Sequence, residues 1–436
     1  MPTNEETKTS GMSRRGFIST SAAGAAALST LGSLPHVHAA GSDEIKIALI
    51  GCGGRGTGAA GNAIKSNPGV KIWAMADAFE DQLNRSADKL SENKENFAVT
   101  DDRKFVGFDA FKNAIDSGVD MVILTTPPGF RPIHFEYAVK ANKNVFMEKP
   151  VAVDAPGVRS VLESAKLAKE KNLAVAVGLQ RHHENQYRET LARLKDGAIG
   201  NINYMRAYWN SSGVWVRPRE EYKPKTEMEY QMRNWYYFNW LCGDHITEQH
   251  IHNLDVINWL KDDFPIRAEA MGGRQVRTGI DHGEIYDHFF VQYDYADGSR
   301  LYSQCRHQKN CLNSVSEWAY GDKGYSQISR SIIMGENKWR FEGQRQGGHQ
   351  QEWHNLMESL RNGEKPMEAE YGAKSTMTSI LGRMAAYSGQ EIMWEDAINS
   401  KLSLAPDKYA WDGNPQPQPD ENGRYKIPMP GITKTV

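Results

Sequence analysis

Apolar residues fall into two regimes along this chain. Between residues 45 and 178, short and nearly unbroken apolar runs alternate with longer polar stretches of helical period. The runs at 45–50, 70–76, 120–126, 144–147 and 173–178 read as strands buried on both faces. The stretches at 80–93, 108–117, 132–141 and 155–171 read as helices. Strands and helices in that alternation predict an α/β unit with a doubly wound parallel sheet. From about residue 201 the pattern changes. Longer strand-like runs appear at 202–209, 266–274, 288–295, 299–307 and 314–321, and Tyr295-Ala-Asp-Gly-Ser299 is a hairpin turn signal. They predict a second α/β domain built on a mostly antiparallel sheet. One helix is expected over 245–260 and two late ones over 350–362 and 374–387. The expected division is 1–40, 41–178, 179–395 and an irregular extension over 396–436.

The first forty residues are set apart. Ser13-Arg14-Arg15-Gly16-Phe17-Ile18 is a twin-arginine pattern, followed by a small-residue, weakly apolar stretch and an A-x-A-like site at Val37-His-Ala39. The expectation is a twin-arginine signal peptide, handled by the twin-arginine export machinery, and a periplasmic or otherwise exported product without a stable membrane anchor. The net charge of −2 over 436 residues gives no basic excess for nucleic acid. Four cysteines show no C-x-x-C spacing; Cys305 and Cys311 are close enough in sequence to be a candidate pair in an oxidising compartment.

The first apolar strand runs directly into Gly51-Cys-Gly53-Gly54-Arg55-Gly56, a G-x-G-x-x-G turn, and Asp77 closes the next apolar run. This is the layout of a dinucleotide-binding βαβ unit. Gly51 would permit the tight turn, Gly53 the approach of a pyrophosphate and Gly56 close helix packing, with phosphates on free amides of the helix N-terminus. Asp77 would bond a ribose 2′-OH, which favours NAD over NADP; its plain alternative is a helix cap.

Three further segments end predicted strands on the same edge of the sheet. They are Thr125-Thr126-Pro127-Pro128 with Arg131 and His134, then Glu148-Lys149-Pro150, then Arg181 and His182. A lysine placed directly after a core strand points to chemistry, or to an ion pair with Glu148. On the helix expected over 245–260, His245, Glu248, His252, Asp255 and Trp259 share one face. Glu248 and His252 would form an orienter–base pair. A divalent ion on His245, Glu248 and His252 is geometrically open, although the spacing is no zinc signature.

With these motifs together, the chain resembles the glucose–fructose oxidoreductase / inositol dehydrogenase (Gfo/Idh/MocA) superfamily from Ile45 to about Tyr387. Gly178, Gly197-Ala-Ile-Gly200 and His252-x-x-Asp255-x-x-x-Trp259 add to the match. The resemblance implies a Rossmann domain followed by a large open sheet, with Lys149 and His252 flanking the substrate carbon that faces a nicotinamide. It also implies self-association into a homo-oligomer. Glu248 stands where the family usually has Asp, and His182 where a second Arg is frequent.

The expected activity is NAD(P)-dependent hydride transfer at a sugar, cyclitol or glycoside hydroxyl carbon. Lys149, His252 and Glu248 are its candidate catalytic residues. Candidate substrate contacts are Arg181, His182, Trp235, Tyr236 and Asp255. The chain holds 11 Trp and 18 Tyr, many of them just ahead of the histidine helix, and they suit sugar stacking or core packing equally. NAD is the expected cofactor, with NADP possible, held tightly because an exported protein cannot readily exchange it; no metal is expected. The alternatives are an NAD-dependent glycoside-cleaving enzyme that works through a transient keto-sugar, and a non-catalytic binding protein.

Overall fold

The computed structural model describes residues 44–436. The predicted twin-arginine segment and its cleavage site lie outside the described residues.

The first sheet alternates strands and helices in chain order: β1 (Ile45–Ile50), α1 (Gly54–Ser66), β2 (Val70–Asp77), α2 (Glu80–Ser91), β3 (Lys104–Val106), α3 (Ala110–Asp116), β4 (Met121–Leu124), α4 (Arg131–Lys140), β5 (Asn144–Met147), α5 (Ala155–Glu170) and β6 (Val175–Val177). All pairings are parallel and the spatial order is β3-β2-β1-β4-β5-β6. The order reverses between β1 and β4, and a crevice opens there at the strands' carboxyl ends. Strand β4 reads as an uninterrupted apolar run because both of its faces are covered. Asp154 starts α5 by accepting the Gly157 N–H, and Pro156 sits in the first turn, where its missing N–H costs nothing.

The second sheet follows α6 (Asn185–Lys195) and begins with β7 (Ile202–Ser211). A run of short helices comes next: α7 (Arg219–Tyr222), α8 (Glu227–Arg233), α9 (Asn239–Cys242), α10 (Asp244–Glu248) and α11 (Ile251–Lys261). Then come β8 (Arg267–Gly273), β9 (His288–Asp294), β10 (Arg300–His307), β11 (Ser314–Gly321), β12 (Gly324–Gln327), β13 (Ile332–Gly335) and β14 (Trp339–Arg340). Helices α12 (Gly348–Arg361) and α13 (Ala369–Ser388), strand β15 (Ile392–Met393) and α14 (Trp394–Asn399) complete the order. The nine strands lie β14-β13-β12-β11-β7-β10-β9-β8-β15, antiparallel except where β7 pairs with β10. Residues beyond 399 are irregular.

Two helices late in the chain finish the first sheet's packing. Helix α12 lies on α1, with buried Trp353 against Phe146 of β5 at a 4.4 Å ring separation. Helix α13, buried along nearly its whole length, packs on both β8 and α5. The core is therefore continuous between the sheets.

One expectation needs correction here. The helix expected over 245–260 is broken: α10 stops at Glu248 and α11 starts at Ile251. Fully buried His250 lies at the break, bonded through Nε2 to the Ser303 hydroxyl of β10 (2.7 Å). That long-range bond holds the interruption. Cys305 and Cys311 are both free; Cys305 is buried in β10 and Cys311 is exposed beyond it. Among the described residues no helix is long and apolar enough to cross a membrane.

Candidate active site

A cleft of about 690 Å³ runs along the carboxyl edge of the first sheet. At one end it is walled by Gly53, Asp77 and Phe79, and at the other by Lys149, Glu248 and His252.

The first end is built by the glycine turn. Gly51 adopts φ +97°, and a Cβ there would stand 2.5 Å from the Thr126 nitrogen. A Cβ on Gly56 would stand 2.0 Å from the Gly51 carbonyl oxygen, whereas Gly53 and Gly54 meet nothing within 4 Å. Helix α1 has no side-chain cap and no acidic residue in its first turn, so its leading amides are left for an anion. Asp77 accepts the Cys52 N–H on Oδ2 (2.6 Å) and the Phe79 N–H on Oδ1 (2.9 Å). It joins the glycine turn to the loop before α2 and does not cap that helix, which starts at Glu80. Each oxygen keeps a lone pair for a ribose hydroxyl. Burial raises the Asp77 carboxyl, while the two amide bonds pull it back down. An uncapped helix start, open glycines and a carboxylate at the end of β2 together fit a dinucleotide.

These glycines separate folding from binding. Gly56→Ala should cost about 3 kcal/mol of stability through the clash with Gly51. Gly53→Ala should leave the melting temperature unchanged and weaken NAD binding, because its methyl enters open space at the cleft wall. Thermal melts and NAD titrations of the two variants check this.

The middle of the cleft is braced from beneath. Buried Arg131 donates to the Glu148 carbonyl (3.0 Å) and the Thr126 carbonyl (2.7 Å), tying two loops together. The His134 Nδ1 pairs with the Thr126 hydroxyl (3.2 Å), and burial pushes the imidazole down to about 3, so it is neutral. Arg55 reaches Glu148 (2.5 Å) and Glu352 of α12 (3.1 Å).

At the far end Lys149 Nζ donates to the Glu248 carbonyl (2.6 Å) and to its carboxylate (3.2 Å). An ammonium has three donors, so one remains for an oxygen in the cleft. His252 is buried, with Trp209 6.1 Å away. Burial first, then the charge of Lys149, holds its imidazole well below the ordinary value. His252 is thus a neutral proton acceptor beside a cationic donor.

Residues 45–179 match the family profile described as "Oxidoreductase family, NAD-binding Rossmann fold". Over that stretch, which is under half of its length, the chain is similar to the Gfo/Idh/MocA oxidoreductases. Among curated relatives, inositol 2-dehydrogenase of Pseudomonas syringae is 26% identical over 260 residues, which is 59% of this chain and 66% of the relative. A second inositol 2-dehydrogenase, from Pseudomonas fluorescens, is 31% identical over 173 residues, 39% of this chain and 44% of its own length. The chain thus spans just under two thirds of the first of these relatives and under half of the second. The fold matches scyllo-inositol dehydrogenase from Lactobacillus casei with bound NAD(H) and scyllo-inositol (TM-score 0.62, 19% identity, 81% of this chain and 99% of that one). It also matches aldose–aldose oxidoreductase from Caulobacter crescentus (TM-score 0.63, 16% identity, 80% and 99%).

Several residues that the sequence assigns to this site have other jobs. Glu248 does not pair with His252. The break after α10 removes the i, i+4 geometry, and the carboxylate holds Lys149 instead. The alternative ion pair between Lys149 and Glu148 is also absent, because Glu148 is taken by Arg55. Arg181 does not line the cleft: it is buried, donating to Glu317 (2.5 Å) and to the His252 carbonyl (2.9 Å). His182 and Asp255 pair with each other (2.9 Å); Asp255 also accepts from Ser375 (2.9 Å), and Trp259 stacks on His182 at 4.2 Å. Together they tie the middle and last turn of α11 to the segment after β6 and to α13. Trp235 lines the cleft, but Tyr236 is buried beside it with its hydroxyl on Gln249 (3.4 Å). Gly51 shapes the turn without lining the cleft. His245 is fully buried and stacks on His307 at 4.4 Å, away from the cleft lining. Among the described residues no group of three or more His, Cys, Asp and Glu is arranged to hold a metal ion.

The cleft also uses residues that carry no motif: Phe79, Trp215, Arg217, Arg233, Gln249 and His349. Trp215 and Trp235 meet at 5.8 Å. His349, in the first turn of α12, has Nδ1 3.6 Å from Glu352. Nothing in its sequence surroundings signals a site; only the packing of α12 on α1 brings it there.

Proposed function

We propose that this chain transfers hydride between a nicotinamide and a hydroxyl-bearing carbon of a sugar or cyclitol. The observation that carries this is the free donor of Lys149 beside neutral His252, in a cleft continuous with Asp77 and the glycine turn. A bound NAD would supply the hydride acceptor. Lys149 holds the reacting oxygen and stabilises its negative charge as the C–H bond breaks. His252 takes the hydroxyl proton. Glu248 fixes the ammonium, Arg181 fixes the backbone of His252, and Trp215 and Trp235 offer faces for a sugar ring. The inositol dehydrogenases and the aldose oxidoreductase among the similar proteins support the polyol class.

His252 makes a pH prediction. Its lowered value keeps it deprotonated as pH falls through 6.5, so kcat/KM for oxidation should stay level from about pH 8 to about pH 6. An acid limb centred near pH 6.5 would contradict the assignment.

One observation favours a second reading. His349 is another imidazole lining the same cleft. Net oxidation needs one group for one proton. Cleavage through a transient keto-sugar needs a second base for the proton next to the carbonyl; the glycosidic oxygen then leaves with a proton, water adds across the double bond so formed, and the hydride returns to the carbonyl carbon. Assays of inositols, aldoses and aryl glycosides with added NAD separate the two. Steady growth of absorbance at about 340 nm supports net oxidation. Aglycone release without it supports cleavage. Neither signal across the panel contradicts both.

Export by the twin-arginine route belongs to the same proposal: a cofactor fitted into a folded cleft favours a route that carries folded proteins. Loss of export on Arg14→Lys with Arg15→Lys is the expected result.

A further inference from the structure

We propose that Arg233, from the second domain, is a cofactor-retaining residue that clasps the Asp77 end of the cleft, making the dinucleotide a resident group that does not exchange at each turnover. The inference rests on the NAD-binding reading above.

Arg233 ends α8, far in sequence from the nucleotide motifs. Its guanidinium forks onto Asp81 of α2, with Nη1 to Oδ2 at 3.0 Å and Nη2 to Oδ1 at 2.8 Å. The same guanidinium lies 3.7 Å from the Phe79 ring centroid. Phe79 in turn meets Trp411 of the C-terminal extension at 5.3 Å, and Trp411 meets Phe108 at 4.9 Å. Phe79, Phe108 and Arg233 all line the cleft alongside Asp77. The loops after β2 and β3, which form the nucleotide end, are therefore tied to two later parts of the chain. Arg233 is the one charged contact in that tie, and its side chain is 20% exposed.

A planar guanidinium suits this position. It pairs in two places with one carboxylate while stacking on an aromatic ring, and little freedom is lost per bond. A nucleotide leaving past Phe79 must displace a group held by both its charge and its face. Such a contact acts on the dissociation rate. Asp81 accepts from Arg85 (2.9 Å) as well as from Arg233, so the two guanidiniums share one carboxylate.

The test follows the exchange of bound NAD for ¹³C-labelled NAD, read by mass spectrometry of the nucleotide released on denaturation. Wild-type protein, Arg233→Ala, Arg233→Lys and Asp81→Asn are compared, with melting temperatures alongside. Wild-type protein is expected to keep NAD through gel filtration and to exchange it slowly. Arg233→Ala and Asp81→Asn should each exchange about tenfold faster or more. Arg233→Lys, which keeps the charge without the fork, should fall between. If Arg233→Ala does not fold, Asp81→Asn and Arg233→Lys decide. Wild-type exchange within seconds, or variants that exchange no faster than wild type, overturn the clasp while leaving NAD binding intact. A wild-type chain that takes up no NAD at all overturns the underlying reading.

Discussion

Lys149→Met will lower kcat by about a thousandfold while leaving NAD bound. Methionine matches the length of the lysine stem and fills the same space, so the change isolates the ammonium. In the native protein that ammonium spends two donors on Glu248 and keeps one for the cleft. On the proposed mechanism the remaining donor acts where negative charge develops on the substrate oxygen, so its loss falls on the transition state, and kcat and kcat/KM should fall together. The Glu248 carboxylate, with its side chain 13% exposed, also loses its cation, and a modest drop in melting temperature is expected. Lys149→Arg should not restore the rate, because a guanidinium is wider and less able to present a single N–H. A loss of kcat smaller than tenfold would remove Lys149 from the chemistry.

The second large effect is on stability. Arg181→Met should destabilise the fold by about 3–5 kcal/mol. Its guanidinium is the cation facing Glu317, whose side chain is fully buried and which also receives Tyr187 (3.2 Å) and Asn253 (2.5 Å). Removing the arginine strands a carboxylate in the core beneath His252. Arg181→Met combined with Glu317→Met should recover most of the loss, since a buried ion pair replaced whole by apolar side chains is far less costly than one that is broken. Denaturant unfolding of the two variants reads this directly. If Arg181 instead touched substrate, Arg181→Met would raise KM with little change in unfolding, and that outcome would refute the buried role.

Much of this architecture is legible in the chain because local signals carry it. The apolar run into Gly51–Gly56, the carboxylate closing β2 and the lysine after β5 are each set by neighbours in sequence, and the structure brings all three to one cleft. What sequence periodicity misses depends on distant partners. The stripe Ile251, Leu254, Ile257 runs on smoothly from α10, yet the helix breaks because His250 is claimed by Ser303 on β10. A shared helical face therefore misassigns His245 and Glu248, which precede the break. Arg181 and His182 stand at a sheet edge where ligands bind, but their partners Glu317 and Asp255 lie 136 and 73 residues away and turn them inward. Trp235 and Tyr236 show the same limit at closest range: adjacent aromatics, one at the cleft and one in the core. Arg233 and Asp81 are separated by 152 residues, and no motif marks either.

On the proposed function, Lys149 and His252 serve hydride transfer in a cleft that holds NAD. Rapid mixing tests it most directly: NAD-loaded protein against a mixture of inositols, aldoses and glycosides, followed at the reduced-nicotinamide band. A band that rises in wild type, transiently or steadily, and is absent in Lys149→Met and His252→Asn is the predicted result. A protein that binds NAD yet shows no band with any of these polyols, or one whose band survives both substitutions, would contradict the account.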